Sequence, residues 1–366
     1  MNKALNKKEA LIRIVKRNEL SDRAKFWLEI ASFLLALFAG GIFILFLGHN
    51  PFSVYATMVI GCFKNAMSMQ ATARIIVPLL ITSLGVTMAF KMRFWNIGAE
   101  GQIIMGAVFS SYFALFYSHL PHPVLMTIMF IAGALGGGLW ALIPGIFKVK
   151  FNTNETLFTL MMNYIALYVI TLLRDGSWRD PHAAGFPKIA TFVANAKLDK
   201  VLGVHVGWII ALILVVLIFI YLKYTKQGYE ISVVGESTAT ATYAGMNVKK
   251  IVLRTVFLSG AIAGIAGMTQ SSGSDATLAS GVAGGVGFTA ITVSWLAHLN
   301  PLGILIISSL FGILGKGSSI VQSSFNISSN SSDILQGIIL FFVLAGEFFI
   351  RYKFAWKRSN KGGEKA

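Results

Sequence analysis

Charge is scarce in this 366-residue chain: only 13% of residues are charged, with 15 acidic side chains against 31 Lys and Arg. A soluble domain is about a quarter charged, so too few charges are present to cover a globular surface of this size. Cysteine is scarcer still. The single Cys62 excludes an intramolecular disulfide and any cysteine-based metal site. The six histidines (49, 119, 122, 182, 205 and 298) have no metal-ligand spacing on a helix. No phosphate-binding loop is present: the nearest string, GILGKGS from Gly312, has Gly317 where Ser or Thr is needed, and the wrong glycine spacing. There is no G-x-S-x-G elbow, no H-E-x-x-H pair and no carboxylate pair set for hydrolysis. A membrane enzyme therefore lacks its catalytic groups, and no metal site is expected.

What the chain has is apolar mass. Hydrophobic residues make up 55% and mean hydropathy is +0.70. They fall in blocks of about twenty, the length a helix needs to cross ~30 Å of hydrocarbon. Ten segments are expected: 27–48, 71–92, 97–118, 123–147, 155–173, 206–224, 251–271, 286–299, 301–322 and 333–351. The fold class is an all-α polytopic membrane protein. The first apolar stretch, from Phe26, exceeds twenty residues and has no small-residue cleavage site, so it reads as a retained span.

The net charge of +16 is explained by position. Residues 1–25 and 351–366 each carry a local charge of +5. Two basic tails on a hydrophobic body read as cytoplasmic ends, and with both ends inside the number of spans is even. The tails and the inside loops (91–93, 148–150, 223–254) then hold 23 of the 31 basic residues. The outside holds Lys64, Arg74, Arg174, Arg179, Lys188, Lys197, Lys200 and Lys316, which supports an N-in, C-in topology. Nucleic-acid binding has no supporting motif. The organisation is a basic tail over 1–26, a transmembrane domain over 27–351, and a basic tail over 352–366. Residues 9–20 fit a short interfacial helix or a solvated tail. Loop 174–205 is long enough to dock a partner or cover a pathway.

Polar residues at membrane depth are costly and mark functional or packing sites. One cluster is WNIGAEGQ, Trp95–Gln102, where Glu100 sits between Gly98 and Gly101. A second runs from Val282 to Trp295, where Gly284, Gly285 and Gly287 precede Phe288 and Thr289 and leave a helix too short to span. Two glycine-broken segments, one in each half of the chain, are the signature of paired discontinuous helices at a substrate site. Candidate pathway residues are Asn96, Glu100, Gln102, Asn163, Phe288 and Thr289. For each the competing reading is structural: a turn with a solvated charge at Glu100, helix packing at the glycines, interhelical bonding at Asn163.

The cytoplasmic stretch 225–250 contains GYEISVVGESTATATYAGMNV, Gly228–Val248. Its small and apolar residues with Glu236, ending at Gly245, describe a short amphipathic helix shaped for a groove on a partner. At this stretch the chain resembles the permeases of ABC importers for nucleosides and simple sugars, related more distantly to branched-chain amino acid permeases. The resemblance covers about 70–350. It is carried by Asn96–Ala107 (NIGAEGQIIMGA), Asn154–Ala166 (NETLFTLMMNYIA), Gly228–Val248, Leu258–Gly267 (LSGAIAGIAG), Gly285–Ile291 (GVGFTAI), Leu299–Gly303 (LNPLG) and Asp333–Leu340 (DILQGIIL). The NIGAEGQ and NETL strings point to the nucleoside-type branch. One departure is Glu236-Ser237-Thr238, where relatives often carry Asn-Pro.

The resemblance implies a bacterial cytoplasmic-membrane permease that binds no cofactor. ATP and Mg2+ belong to separate ATP-binding subunits, which dock on Gly235, Glu236, Ala241, Tyr243, Ala244 and Gly245. It also implies a second permease subunit, more often a different chain than an identical one, and an extracytoplasmic lipoprotein that captures substrate. A permease for simple sugars such as ribose is the nearest alternative. An ion-coupled secondary transporter, with Glu100 and Glu347 carrying protons, is an alternative of another class that leaves 228–248 without a task.

Overall fold

The computed structural model describes residues 12–17, 21–183 and 185–356. Its elements in order are β1 (Ile12–Lys16), α1 (Asp22–Phe46), α2 (Pro51–Phe63), α3 (Ala66–Lys91), α4 (Ala99–Phe116), α5 (His122–Phe151), α6 (Glu155–Asp175), β2 (Lys200–Val201), β3 (Val204–His205), α7 (Gly207–Tyr224), α8 (Lys226–Glu236), α9 (Thr238–Tyr243), α10 (Val248–Thr269), α11 (Val286–Leu296), α12 (Pro301–Phe325), α13 (Ser329–Arg351) and β4 (Tyr352–Trp356). Among the described residues eight helices are long and apolar enough to cross a membrane. The pair Ile30–Phe46 and Pro51–Phe63, bent by 113°, makes a ninth if it is one span, and the short Val286–Leu296 stands apart. The chain is a mostly helical, polytopic membrane protein.

The described residues form two compact units. One contains residues up to Thr57 and from Ser318 onward; the other runs from Met58 to Gly317. In the first, α1 packs on α13, and Tyr55 donates to the carbonyl of Leu37 at 2.7 Å. Here the structure corrects the expectation of a helix over 9–20. Ile12–Lys16 is a strand, paired antiparallel with Tyr352–Trp356 so that Ile12 faces Trp356 and Lys16 faces Tyr352. Ile12, Ile14 and Val15 are β-branched, which favours the pleated backbone over a helix. The rest of that stretch and the C-terminal tail from 357 lie outside the described residues. Helix α2 is a second departure, because 49–70 carried no expected element. Pro51 is pre-set for the first helical position, and Asn50 Oδ1 accepts from Phe52 N at 2.9 Å.

In the second unit α10 is the central post, packed on α3, α4 and α5. Small residues make this closeness possible. At Gly264 an added Cβ would overlap the carbonyl of Gly133 and stand 3.0 Å from Gly137 Cα. Both neighbours are backbone and have little freedom to move. Gly264→Val should therefore cost about 1–3 kcal/mol or more of stability. In fluorescence-detected size exclusion after a heat step, this variant should lose its monodisperse peak at a lower temperature than Gly281→Val, where a Cβ meets open space. Equal behaviour of the two variants would argue against close packing of α10 on α5.

Candidate functional site

The two glycine-bearing stretches, one before α4 and one before α11, meet. Arg93 closes α3 with a positive φ of 59°, after which the chain runs irregularly to α4 at Ala99. On the other side, α10 continues as a π-helical turn, Gln270–Asp275, then runs irregularly through Gly284 and Gly285 (φ 55° and 81°) before α11 begins. Glu100 joins them. Its Oε1 accepts from Gly285 N and its Oε2 from Gly287 N, both at 2.7 Å. The carboxylate thus lies in the first turn of α4 and caps the first turn of α11, where two positive helix ends favour negative charge. Gly287 permits the approach, since a Cβ there would overlap the Glu100 backbone.

The neighbouring amides are bound to one another. Asn96 Nδ2 donates to Gln102 Oε1 at 3.1 Å, and Gln102 Nε2 donates back to Asn96 Oδ1 at 3.0 Å. Asn96 Oδ1 also accepts from Gly98 N, and its Nδ2 donates to Ser259 Oγ on α10. From α6, Asn163 Oδ1 accepts from Gly101 N at 2.8 Å and its Nδ2 donates to Ile97 O at 2.9 Å. Thr159 Oγ1 accepts from Ile97 N. Asn96, Glu100, Gln102 and Asn163 are all buried. Phe288, by contrast, is 44% exposed, and Thr289 is half-buried with its hydroxyl donating to Gly285 O. The six candidates therefore separate into four buried groups that hold the broken segments and two on the first turn of α11 with open surface.

Residues not singled out from sequence complete the arrangement. Trp295, near the end of α11, stacks on Trp95 with ring centroids 5.6 Å apart, and Phe90 lies 5.5 Å from Trp95. Ser294 Oγ donates to Ser83 O at 2.9 Å. The short helix is thus moored at its start by Glu100 and at its end by Trp95. Thr159, Ser259, Trp95 and Trp295 all lie inside strings already quoted, so the signal was there but was unspecific for any one of them. The side chain of Glu347 lies outside the described residues.

The stretch 225–250 forms two helices rather than one. α8 buries Ile231 and Val234, and its Glu230 pairs with Arg254 at 2.9 Å. Ser237 Oγ caps α9 by accepting from Thr240 N. Gly235 backs onto the carbonyl of Lys91 and Ala241 is fully buried, whereas Glu236, Tyr243, Ala244 and Gly245 face outward. Tyr243 is 96% exposed. Gly245, at φ 74°, ends the element. Beside it a cavity of about 470 Å3 is lined by Arg93, Lys148, Glu155, Glu236 and Lys249 among others, with Lys148 paired to Glu155 at 2.9 Å.

Loop 174–205 is folded down onto the far end of α10. Phe192 and Ala196 bury against Leu125, Met129 and Met268, and Phe192 N donates to Ala276 O at 2.8 Å. His205 is buried with Nε2 3.2 Å from Ser274 Oγ; burial first, then the Arg74 and Lys200 charges, push its pKa down to about 4. Phe186 and Leu202 remain exposed on the surface of the loop.

Comparison with known proteins matches residues 68–344 to the family described as the permease component of branched-chain amino acid transport systems. The guanosine ABC transporter permease protein NupP of Bacillus subtilis is 31% identical over 88% of this chain and 94% of that protein. The glucose ABC transporter permease protein TsgB13 of Haloferax volcanii is 28% identical over 92% of this chain and 91% of its own length. The nucleoside ABC transporter permease protein NupB of Lactococcus lactis is 28% identical over 93% and 98%. A second Bacillus subtilis guanosine permease protein, NupQ, also matches, at 27% over 64% of this chain. With the family match covering most of the sequence and every motif described above except the tails, the chain belongs to this family of ABC transporter permease components.

Proposed function

We propose that the chain is the membrane subunit of an ATP-driven importer of nucleosides in a bacterial cytoplasmic membrane. The observation that carries this reading is the α8–α9 element, which is anchored by Gly235 and Ala241 and presents Tyr243 almost fully to solvent. A single-chain carrier has no use for such a knob; an ATP-binding subunit closing on ATP and Mg2+ has. In this reading ATP and Mg2+ bind to that subunit. The printed names of NupP and NupB support a nucleoside as cargo. The match to both NupP and NupQ from one organism supports a second, different permease chain as partner.

In this reading both chain ends are cytoplasmic and the transmembrane segments number ten, counting α1–α2 and the short α11 as one each. Phe288 and Thr289, on the first turn of α11, face the pathway, where an aromatic ring stacks on a base at roughly 1–3 kcal/mol. Asn96, Glu100, Gln102 and Asn163 position that turn. Loop 174–205 is the docking surface for a substrate-binding lipoprotein.

The test is uptake into proteoliposomes holding this chain, the second permease and the ATP-binding subunit, with the lipoprotein outside. Labelled guanosine or adenosine should enter only with internal ATP and with the lipoprotein present. Uptake driven by an ion gradient without ATP would overturn the reading. The name of TsgB13 keeps a simple sugar as the second reading. If excess glucose or ribose abolishes uptake while excess nucleoside does not, the cargo is a sugar.

A further inference from the structure

A second cavity, of about 510 Å3, lies where α3 and α7 end and α12 begins. Its charged and polar lining is one-sided. Lys91 is the last residue of α3, Lys223 lies in the last turn of α7, and His298 and Asn300 come from the link before α12. Among the described lining residues none is Asp or Glu. Of the two acids on the adjoining α8, Glu230 is held by Arg254 at 2.9 Å and Glu236 lines the other cavity. Lys223 Nζ is 5.3 Å from the centroid of Phe219 and 5.4 Å from that of Tyr224, a cation beside a pair of rings. Asn300 Oδ1 accepts from Leu302 N, so its amide NH2 stays available to a ligand. The first turn of α12 opens beside it and adds the positive end of a helix.

We infer that this cavity binds the phosphate of an anionic phospholipid, with phosphatidylglycerol as the type. Two lysines, an amide donor and a helix start match one phosphodiester negative charge with its oxygens. The choice of lipid over a free phosphate rests on the walls. Phe219 and Leu222 line one side, and α7 also leaves Leu217 and Ile220 exposed, apolar side chains against which acyl chains can lie. Lysines that merely extend to the interface require no cavity. Basic pockets between membrane helices on the cytoplasmic side are suited to anionic headgroups. The inference rests on the orientation proposed above, which puts the ends of α3 and α7 at the cytoplasmic leaflet.

The experiment uses the full chain, purified and delipidated in detergent, with no transport substrate, so its failure leaves the import reading untouched. Phosphatidylglycerol should raise the thermal midpoint by several degrees, whereas phosphatidylcholine and millimolar inorganic phosphate should not. The double variant Lys91→Gln, Lys223→Gln should weaken the apparent phosphatidylglycerol affinity at least tenfold, and Lys91→Arg, Lys223→Arg should retain it. On the unmutated chain, a photoreactive phosphatidylglycerol should label peptides within 217–232 and 298–302. Equal stabilisation by inorganic phosphate would reassign the site to a soluble anion. Full affinity in the double glutamine variant, or labelling confined to other peptides, would overturn the inference.

Discussion

Glu100→Gln should lower uptake about tenfold or more while leaving membrane insertion and detergent stability near normal. Both carboxylate oxygens accept backbone N–H bonds, from Gly285 and Gly287. An amide supplies one acceptor and turns an N–H2 toward the other N–H. A buried donor left without a partner costs about 1–3 kcal/mol, and 1.4 kcal/mol is a factor of ten. If that energy holds α11 in its working position, turnover falls and apparent affinity, set by the binding protein, stays the same. Gly287→Ala should reproduce the defect by steric means, because its Cβ would overlap the backbone of Glu100. The measurement is initial uptake rate in proteoliposomes, with the amount of inserted chain determined in parallel. Undiminished rates in both variants would show that the cap is dispensable.

Tyr243→Asp is expected to abolish ATP-driven uptake altogether. The residue is 96% exposed, so nothing in the chain itself suffers from the change. Exposed aromatic anchors of this kind dominate protein–protein binding energies, commonly at 2 kcal/mol or more each. A charge placed where such an anchor must be desolvated adds a further cost. Copurification of the ATP-binding subunit should drop along with uptake, and Tyr243→Phe should retain both. Normal copurification and transport by Tyr243→Asp would remove α9 from the coupling surface.

The membrane character, the glycine-bearing stretches that meet at Glu100 and the helical element over 228–248 were legible in the sequence for a common reason. Each is a composition signal over ten or more residues: apolar blocks, glycines beside Glu100 and Phe288, small residues over 228–248. What stayed hidden depended on pairing at long range. Nothing local says that Glu100 caps a helix nearly two hundred residues away, or that Asn96 and Gln102 bind one another instead of facing outward. The strand over Ile12–Lys16 was hidden for the same reason, since its period-two pattern is too short to outweigh a helical reading without its partner. Helix α2 was missed because thirteen residues fall below the length of a span.

The pairing of β1 with β4 has a bearing on biosynthesis. A ribosome adding about 5–20 residues per second reaches Tyr352 roughly 20–70 s after Lys16 has emerged, since roughly 330 residues separate them. For all that time Ile12–Lys16 has no partner strand, and its backbone groups are open to pairing with another chain. Arg13 and Lys16 within it, and Arg17 beside it, are the type of charged residue that discourages such pairing. The N-terminal strand must therefore stay monomeric through the insertion of every later helix. It finds its partner only once Tyr352–Trp356, beyond the last membrane helix, has left the ribosome.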